Sequence, residues 1–156
     1  MVKTEKSILI VDPKVQRRDM LASRFRIHGY AVDLANSGFH ALSLIENVDY
    51  KSVVIIGNPH EMAGIEIASL IRDMIPKSQL QIIMVSHKSH QEDVLEAYKL
   101  GVNEYLLYDD KIFRLLFDKI ETYSPTEKIS REFLSEEQFT EANETAEKID
   151  AQRGKK

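Results

Sequence analysis

The chain has 156 residues, 43% of them hydrophobic and 29% charged, with 6 Gly, 4 Pro and no Cys. That length fits one domain with a short appendage, and the composition excludes collagenous, low-complexity and wholly disordered classes. The missing cysteine removes any disulfide framework, thiolate nucleophile or Cys-ligated metal, and a net charge of −4 is a poor footprint for nucleic acid.

The start, MVKTEKSILIV, carries charges and then only a short apolar run. Such a run is too short for a signal-peptide core or a membrane span, so a cytoplasmic chain is expected. In chain order, SILIV at 7–11, VVII at 53–56 and QIIMV at 81–85 are β-branched, unalternating runs that predict strands buried on both faces. Weaker strands are expected from Tyr30 to Leu34 and from Asn103 to Leu107. Helical spacing runs from Val15 to Ile27, Gly38 to Glu46, Ile65 to Ile75, Val94 to Leu100 and Ile112 to Ile120. Five repeats of strand then helix predict an α/β fold, a parallel sheet with helices on both faces.

Asp12-Pro13 reads as an N-cap followed by proline at the first helical position, and Ser89 with Glu92 as a capping box. Gly29 and Gly101 fall where helices want a left-handed C-cap. No Gly-rich phosphate loop follows the first strand, which removes the main support for dinucleotide binding. After Tyr123 the chain turns polar and charged, so 1–123 reads as the domain and 124–156 as an extension. Ser124-Pro125-Thr126-Glu127 and Ser135 with Gln138 are capping signatures that predict helices over about 125–134 and 136–151. In the second of these, Phe139 and Ile149 share a stripe and would dock the extension on its own domain, a second copy or a partner.

The order and spacing of ILIVD at 8–12, RFRIHGYAVDLANSGFHAL at 24–42, GIEIASLIR at 64–72, IIMVSH at 82–87 and EDVLEAYKLGVNEYLL at 92–107 resemble the receiver domain of bacterial two-component response regulators. The resemblance implies a flavodoxin-like, doubly wound (βα)5 fold with strand order 2-1-3-4-5. It also implies a pocket at the C-terminal sheet edge where an aspartate takes a phosphoryl group from a histidine kinase.

Carried onto this chain, the pocket is degenerate. The acidic pair that helps to hold Mg²⁺ becomes Asp12 and Pro13, and the acceptor falls on Gly57 with one loop residue deleted or on Ile56 without a gap. Ala63 stands where an aspartate commonly precedes the glycine of the following loop. Ser86 matches the hydroxyl that senses the phosphoryl group, Tyr105 matches the aromatic switch, and Tyr108 replaces the lysine that pairs with phosphoryl charge. The chain thus looks like a pseudo-receiver.

Each of these residues has a plainer reading beside the functional one. Asp12 is either a cation ligand or only a helix cap, Ser86 either a sensor or a tolerated strand-end hydroxyl, and Tyr105 either a switch or a locked ring. His60, His87 and His90 fall near Asp12 on the same sheet edge, but their spacing fits no metal motif, and loop histidines are the simpler account. His28 and His40 are expected on helix surfaces.

The function expected is a non-catalytic, phosphorylation-independent module in a bacterial signalling pathway that binds a protein partner, needs no cofactor and touches neither nucleic acid nor membrane. Fold analogy assigns contact to the face of the fourth helix, fifth strand and fifth helix, at Tyr98, Lys99, Tyr105, Arg114 and Lys119. A homodimer through that face or through the extension is the related possibility. The alternatives are a phosphoacceptor using another carboxylate such as Asp12, and a pocket that senses a small molecule or metal.

Overall fold

The computed structural model describes residues 6–59, 62–88 and 90–125. The extension beyond Pro125, with its two expected helices, Phe139 and Ile149, lies outside the described residues, as do His60 and Ser89.

Five strands, β1 (Ser7–Val11), β2 (Ala31–Ala35), β3 (Ser52–Ile56), β4 (Gln81–Ser86) and β5 (Glu104–Leu107), alternate with α1 (Val15–Ile27), α2 (Gly38–Asn47), α3 (Gly64–Met74), α4 (Gln91–Leu100) and α5 (Ile112–Thr122). All pairings are parallel and the order is β2-β1-β3-β4-β5, as expected. Every residue of β1 and β3 is buried, which is why these runs do not alternate in polarity. Their side chains still divide by parity into two layers. Ile8, Ile10, Val54, Ile56, Ile83 and Val85 pack with Leu21 and Phe25 of α1 and with Ile112, Leu116 and Ile120 of α5. Leu9, Val11, Val53, Ile55, Ile82 and Met84 pack with Ile45 of α2, Ile67 and Ile71 of α3 and Ala97 of α4.

The register of β1 against β3 sets Val11 opposite Ile55, and that of β4 against β5 sets Ser86 opposite Leu107. The strands therefore end level. The next residues of four of them, Asp12, Gly57, His87 and Tyr108, emerge together at one sheet edge.

Two helix starts differ from expectation. Asp12 and Pro13 do not cap α1: Lys14 is the N-cap, and Asp12 Oδ1 instead accepts the Lys14 N–H at 2.9 Å, a local turn that sets the helix two residues later. α4 begins at Gln91 with His90 as N-cap, three residues before the apolar spacing starts. Its first turn carries Glu92 and Asp93, which suit the positive end of the helix dipole but are invisible to an apolar pattern. At the other end of α4, Gly101 is left-handed at φ 103°, and Arg72 donates to its carbonyl at 2.7 Å. Burial lowers the Arg72 guanidinium to about 10.

The opposite edge of the sheet is tied by polar contacts. Buried Ser52 donates to Gln81 at 2.6 Å, and Gln81 donates to the Lys119 carbonyl at 3.1 Å, joining the sheet to α5. The Tyr30 hydroxyl donates to Glu121 near the end of α5 and holds that carboxyl below the usual carboxylate range, while burial first and then Glu121 raise the phenol. A depressed carboxyl adds stability above its unfolded pKa and loses it as pH falls through the folded value. Tyr30→Phe should therefore lower stability at neutral pH, and the gap from wild type should narrow in acid. Urea unfolding across a pH series measures this, and a gap that widens in acid contradicts it.

Candidate functional site

Asp12 is fully buried at the end of β1, yet it is charged and needs partners. It finds them five residues on. Arg17, in the first turns of α1, reaches back and grips the carboxylate in a two-pronged pair, Nε to Oδ2 at 2.6 Å and Nη2 to Oδ1 at 2.8 Å. The Arg17 side chain is only 10% exposed, and the hydrogen bond to Asp12 holds its guanidinium above its ordinary value.

The remaining arm of Arg17 crosses the sheet edge. Nη1 lies 2.6 Å from His87 Nε2, just after β4. Because a guanidinium only donates, His87 Nε2 is the acceptor and carries no proton in this contact. Tyr108, just after β5, closes the other side, with its ring centroid 5.1 Å from the Arg17 guanidinium carbon and 4.9 Å from the His87 ring centroid. Tyr108 is placed by its N–H, which donates to the Ser86 carbonyl at 2.8 Å.

The two acceptor positions behave differently. Ile56 is fully buried in the layer under α1 and α5. Gly57 has φ +64°, and a Cβ on it would lie 3.8 Å from Arg17 Nη2, so Gly57 is the position that faces the guanidinium. Asn58 and Gly64 lie together beside it. Asn58 accepts the Gly64 N–H at 3.2 Å, and a Cβ at Gly64 would meet the Gly57 carbonyl at 2.9 Å, which explains a glycine there.

These residues do not fit the Mg²⁺ that a receiver pocket takes. A hard cation of that size wants near-octahedral oxygen ligands. Here both Asp12 oxygens are held by Arg17 and the Lys14 N–H, Pro13 offers no carboxylate, Gly57 has no side chain, and a guanidinium stands beside the gap. Among the described residues there is also no group of three or more His, Asp or Glu that could hold a metal ion. Of the three histidines expected near Asp12, His87 is engaged with Arg17, and His90 is the exposed N-cap of α4.

Ser86 turns away from Arg17 into its own loop, donating to the Lys88 carbonyl at 2.6 Å and accepting the Lys88 N–H at 3.3 Å. It shares a cleft of about 220 Å³ with Asn58, Lys88, Asp93, Glu96 and Tyr105. Tyr105 is half-buried, and its N–H donates to the Tyr98 hydroxyl at 3.2 Å.

On the face of α4, β5 and α5, Tyr98, Lys99 and Arg114 are exposed as expected. Tyr105 and Lys119 are half-buried instead, because the Tyr105 ring leans on the core and the Lys119 ammonium folds back to Glu104 at 3.4 Å. Sequence reasoning missed the apolar part of this face: Leu95 is 53%, Leu107 49% and Leu115 39% exposed. His28 and His40 are exposed, with the His28 ring resting against Phe113 and Phe117 of α5. Sequence reasoning also missed Arg17. Its only signal is a basic residue one helical turn and a half beyond a lone buried carboxylate.

The comparisons agree with this fold. The chain is 30% identical over 134 residues to the transcriptional regulatory protein ZraR of Klebsiella oxytoca, covering 86% of this chain and 28% of that protein. It is 30% identical to chemotaxis protein CheY-3 of Vibrio cholerae, covering 64% of this chain and 78% of that protein. The chain thus spans little more than a quarter of ZraR and most of CheY-3. Among solved structures, a CheY-like receiver domain protein from Methanospirillum hungatei superposes with TM-score 0.69 at 25% identity, over 74% of this chain and 90% of that one. Response regulator TrrA from Thermotoga maritima, in complex with Mg²⁺-BeF, gives 0.66 at 27% identity, over 74% and 96%. The response regulator receiver domain profile matches residues 8–115, and with the strand order and the pocket at its C-terminal edge this places the chain in the response regulator receiver domain family.

Proposed function

We propose that this chain is a non-catalytic, phosphorylation-independent signalling module that acts by binding a protein partner. The observation that carries the reading is Gly57: the position that faces the pocket at the end of β3 has no side chain to load. Acyl phosphate formation needs a carboxylate, and Asp12, the buried one nearby, is already paired. The alternative in which Asp12 accepts the phosphoryl group would require it to leave Arg17 first.

Partner binding through α4, β5 and α5 is supported by the apolar surface there, Leu95, Tyr98, Leu107 and Leu115, bordered by Lys99 and Arg114. Buried apolar centres with a charged rim are how protein interfaces are commonly built. A second copy of the chain is one candidate partner, and another component of a bacterial signalling pathway is the other.

Incubating the full chain with acetyl phosphate and Mg²⁺ should leave its intact mass unchanged. A hydroxylamine-sensitive gain of one phosphoryl group would overturn the reading.

A further inference from the structure

We infer that Arg17 is the resident cation of this pocket, held where a receiver of this family takes a divalent metal, and that it fixes the surrounding loops without metal or phosphoryl group. The inference rests on the reading of the pocket as a degenerate phosphorylation site and deepens it by naming what replaced the lost chemistry.

Three observations converge on it. The guanidinium neutralises the Asp12 carboxylate, which is fully buried and, among the described residues, is paired with Arg17, while Arg18 reaches only the Asp12 backbone carbonyl at 3.4 Å. It bridges four chain segments, joining α1 to the end of β1 through Asp12, to the loop after β4 through His87 and to the loop after β5 through Tyr108. Gly57 leaves open the side from which an acceptor carboxylate would compete, with Nη2 3.8 Å from its missing Cβ. A planar guanidinium can serve a carboxylate, an imidazole and an aromatic face together, which an octahedral metal ion cannot.

The consequence reaches the binding face. His87 lies between Ser86, the last residue of β4, and Lys88, and both of these line the cleft shared with Tyr105 of β5 and Asp93 and Glu96 of α4. A permanent cation holds this loop in one arrangement. The partner therefore meets one constitutive state of the face.

The test uses the full chain in three forms: Gly57→Asp, Arg17→Met, and both together. Asp is among the residues best able to occupy the left-handed region, so the first substitution is tolerable at φ +64°. In Gly57→Asp alone, Arg17 should capture the new carboxylate, and millimolar Mg²⁺ or Mn²⁺ should leave the melting temperature unmoved. In the double variant, neither Asp12 nor the new carboxylate is paired with Arg17, and the same ions should raise it by several degrees. An equal metal-induced rise in Gly57→Asp alone overturns the inference, and so does a double variant as insensitive as wild type.

If Gly57→Asp does not fold, amide exchange in Arg17→Met decides. Exchange at His87, Lys88 and Tyr108 should quicken by about tenfold or more as the loops lose their tether, and unchanged protection overturns the inference. None of these measurements reads phosphoryl transfer. Loading by acetyl phosphate would sink the phosphorylation-independent reading with the metal titrations intact, and the titrations can fail in a chain that takes no phosphate.

Discussion

Arg17→Ala should lower the unfolding free energy by about 3 kcal/mol, the lower end of what removing one partner of a buried ion pair costs. The loss comes from Asp12, which is 0% exposed and whose carboxylate would keep, among the described residues, only the Lys14 N–H as a partner. The value sits at the lower end because His87, on the far side of the guanidinium, is exposed and water can reach that flank. Asp12→Asn combined with Arg17→Ala should cost less than the two single changes added together, since the stranded charge disappears with its partner. Urea unfolding of the four proteins with a common m-value measures the coupling. A loss below about 1 kcal/mol for Arg17→Ala would mean that Asp12 is solvated rather than dependent on Arg17.

Phe25→Ala should cost about 3–5 kcal/mol, as large-to-small changes of buried aromatic residues do. Phe25 is fully buried between α1 and α5, with its ring 5.4 Å from Tyr30, 4.9 Å from Phe113 and 6.4 Å from Phe117. The edge contacts add to the area term, and alanine leaves a cavity that α1 and α5, both packed on the sheet, cannot fill without moving. α5 forms part of the proposed binding face, so a loosened α1–α5 seam should also weaken partner binding or self-association, whereas Phe39→Ala at an exposed ring of α2 should not. Thermal and urea unfolding give the stability term, and a cost below about 1.5 kcal/mol would show that the seam repacks.

The architecture was legible in the chain because its strongest signals are local. Runs such as SILIV and VVII can be strands only if both faces are covered, and helices of 3.6 periodicity between them supply the cover. Gly101 announced the end of α4 because its left-handed backbone suits glycine. Element starts were less legible. Asp12 has the composition of a cap, but its oxygens answer to Arg17 and Lys14, and a long-reach ion pair outcompetes the local cap.

Which residue types stand at the expected site positions was likewise readable position by position. Pro13, Gly57 and Tyr108 carry neither a carboxylate nor an ammonium, and no structure is needed to see that. What surrounds Asp12 was decided only in three dimensions. Arg17, His87 and Tyr108 come from α1 and from the ends of β4 and β5, and only the level ending of parallel strands brings them around one buried carboxylate. Exposure of Leu95, Leu107 and Leu115 was decided in the same way, because an apolar residue faces water or core according to which side of its element the sheet occupies. Sequence by itself determined the layers and the side-chain types at the sheet edge, since these follow from periodicity and from residue type. The tertiary structure decided the pairing of charges, since that depends on which loops the strand register sets side by side.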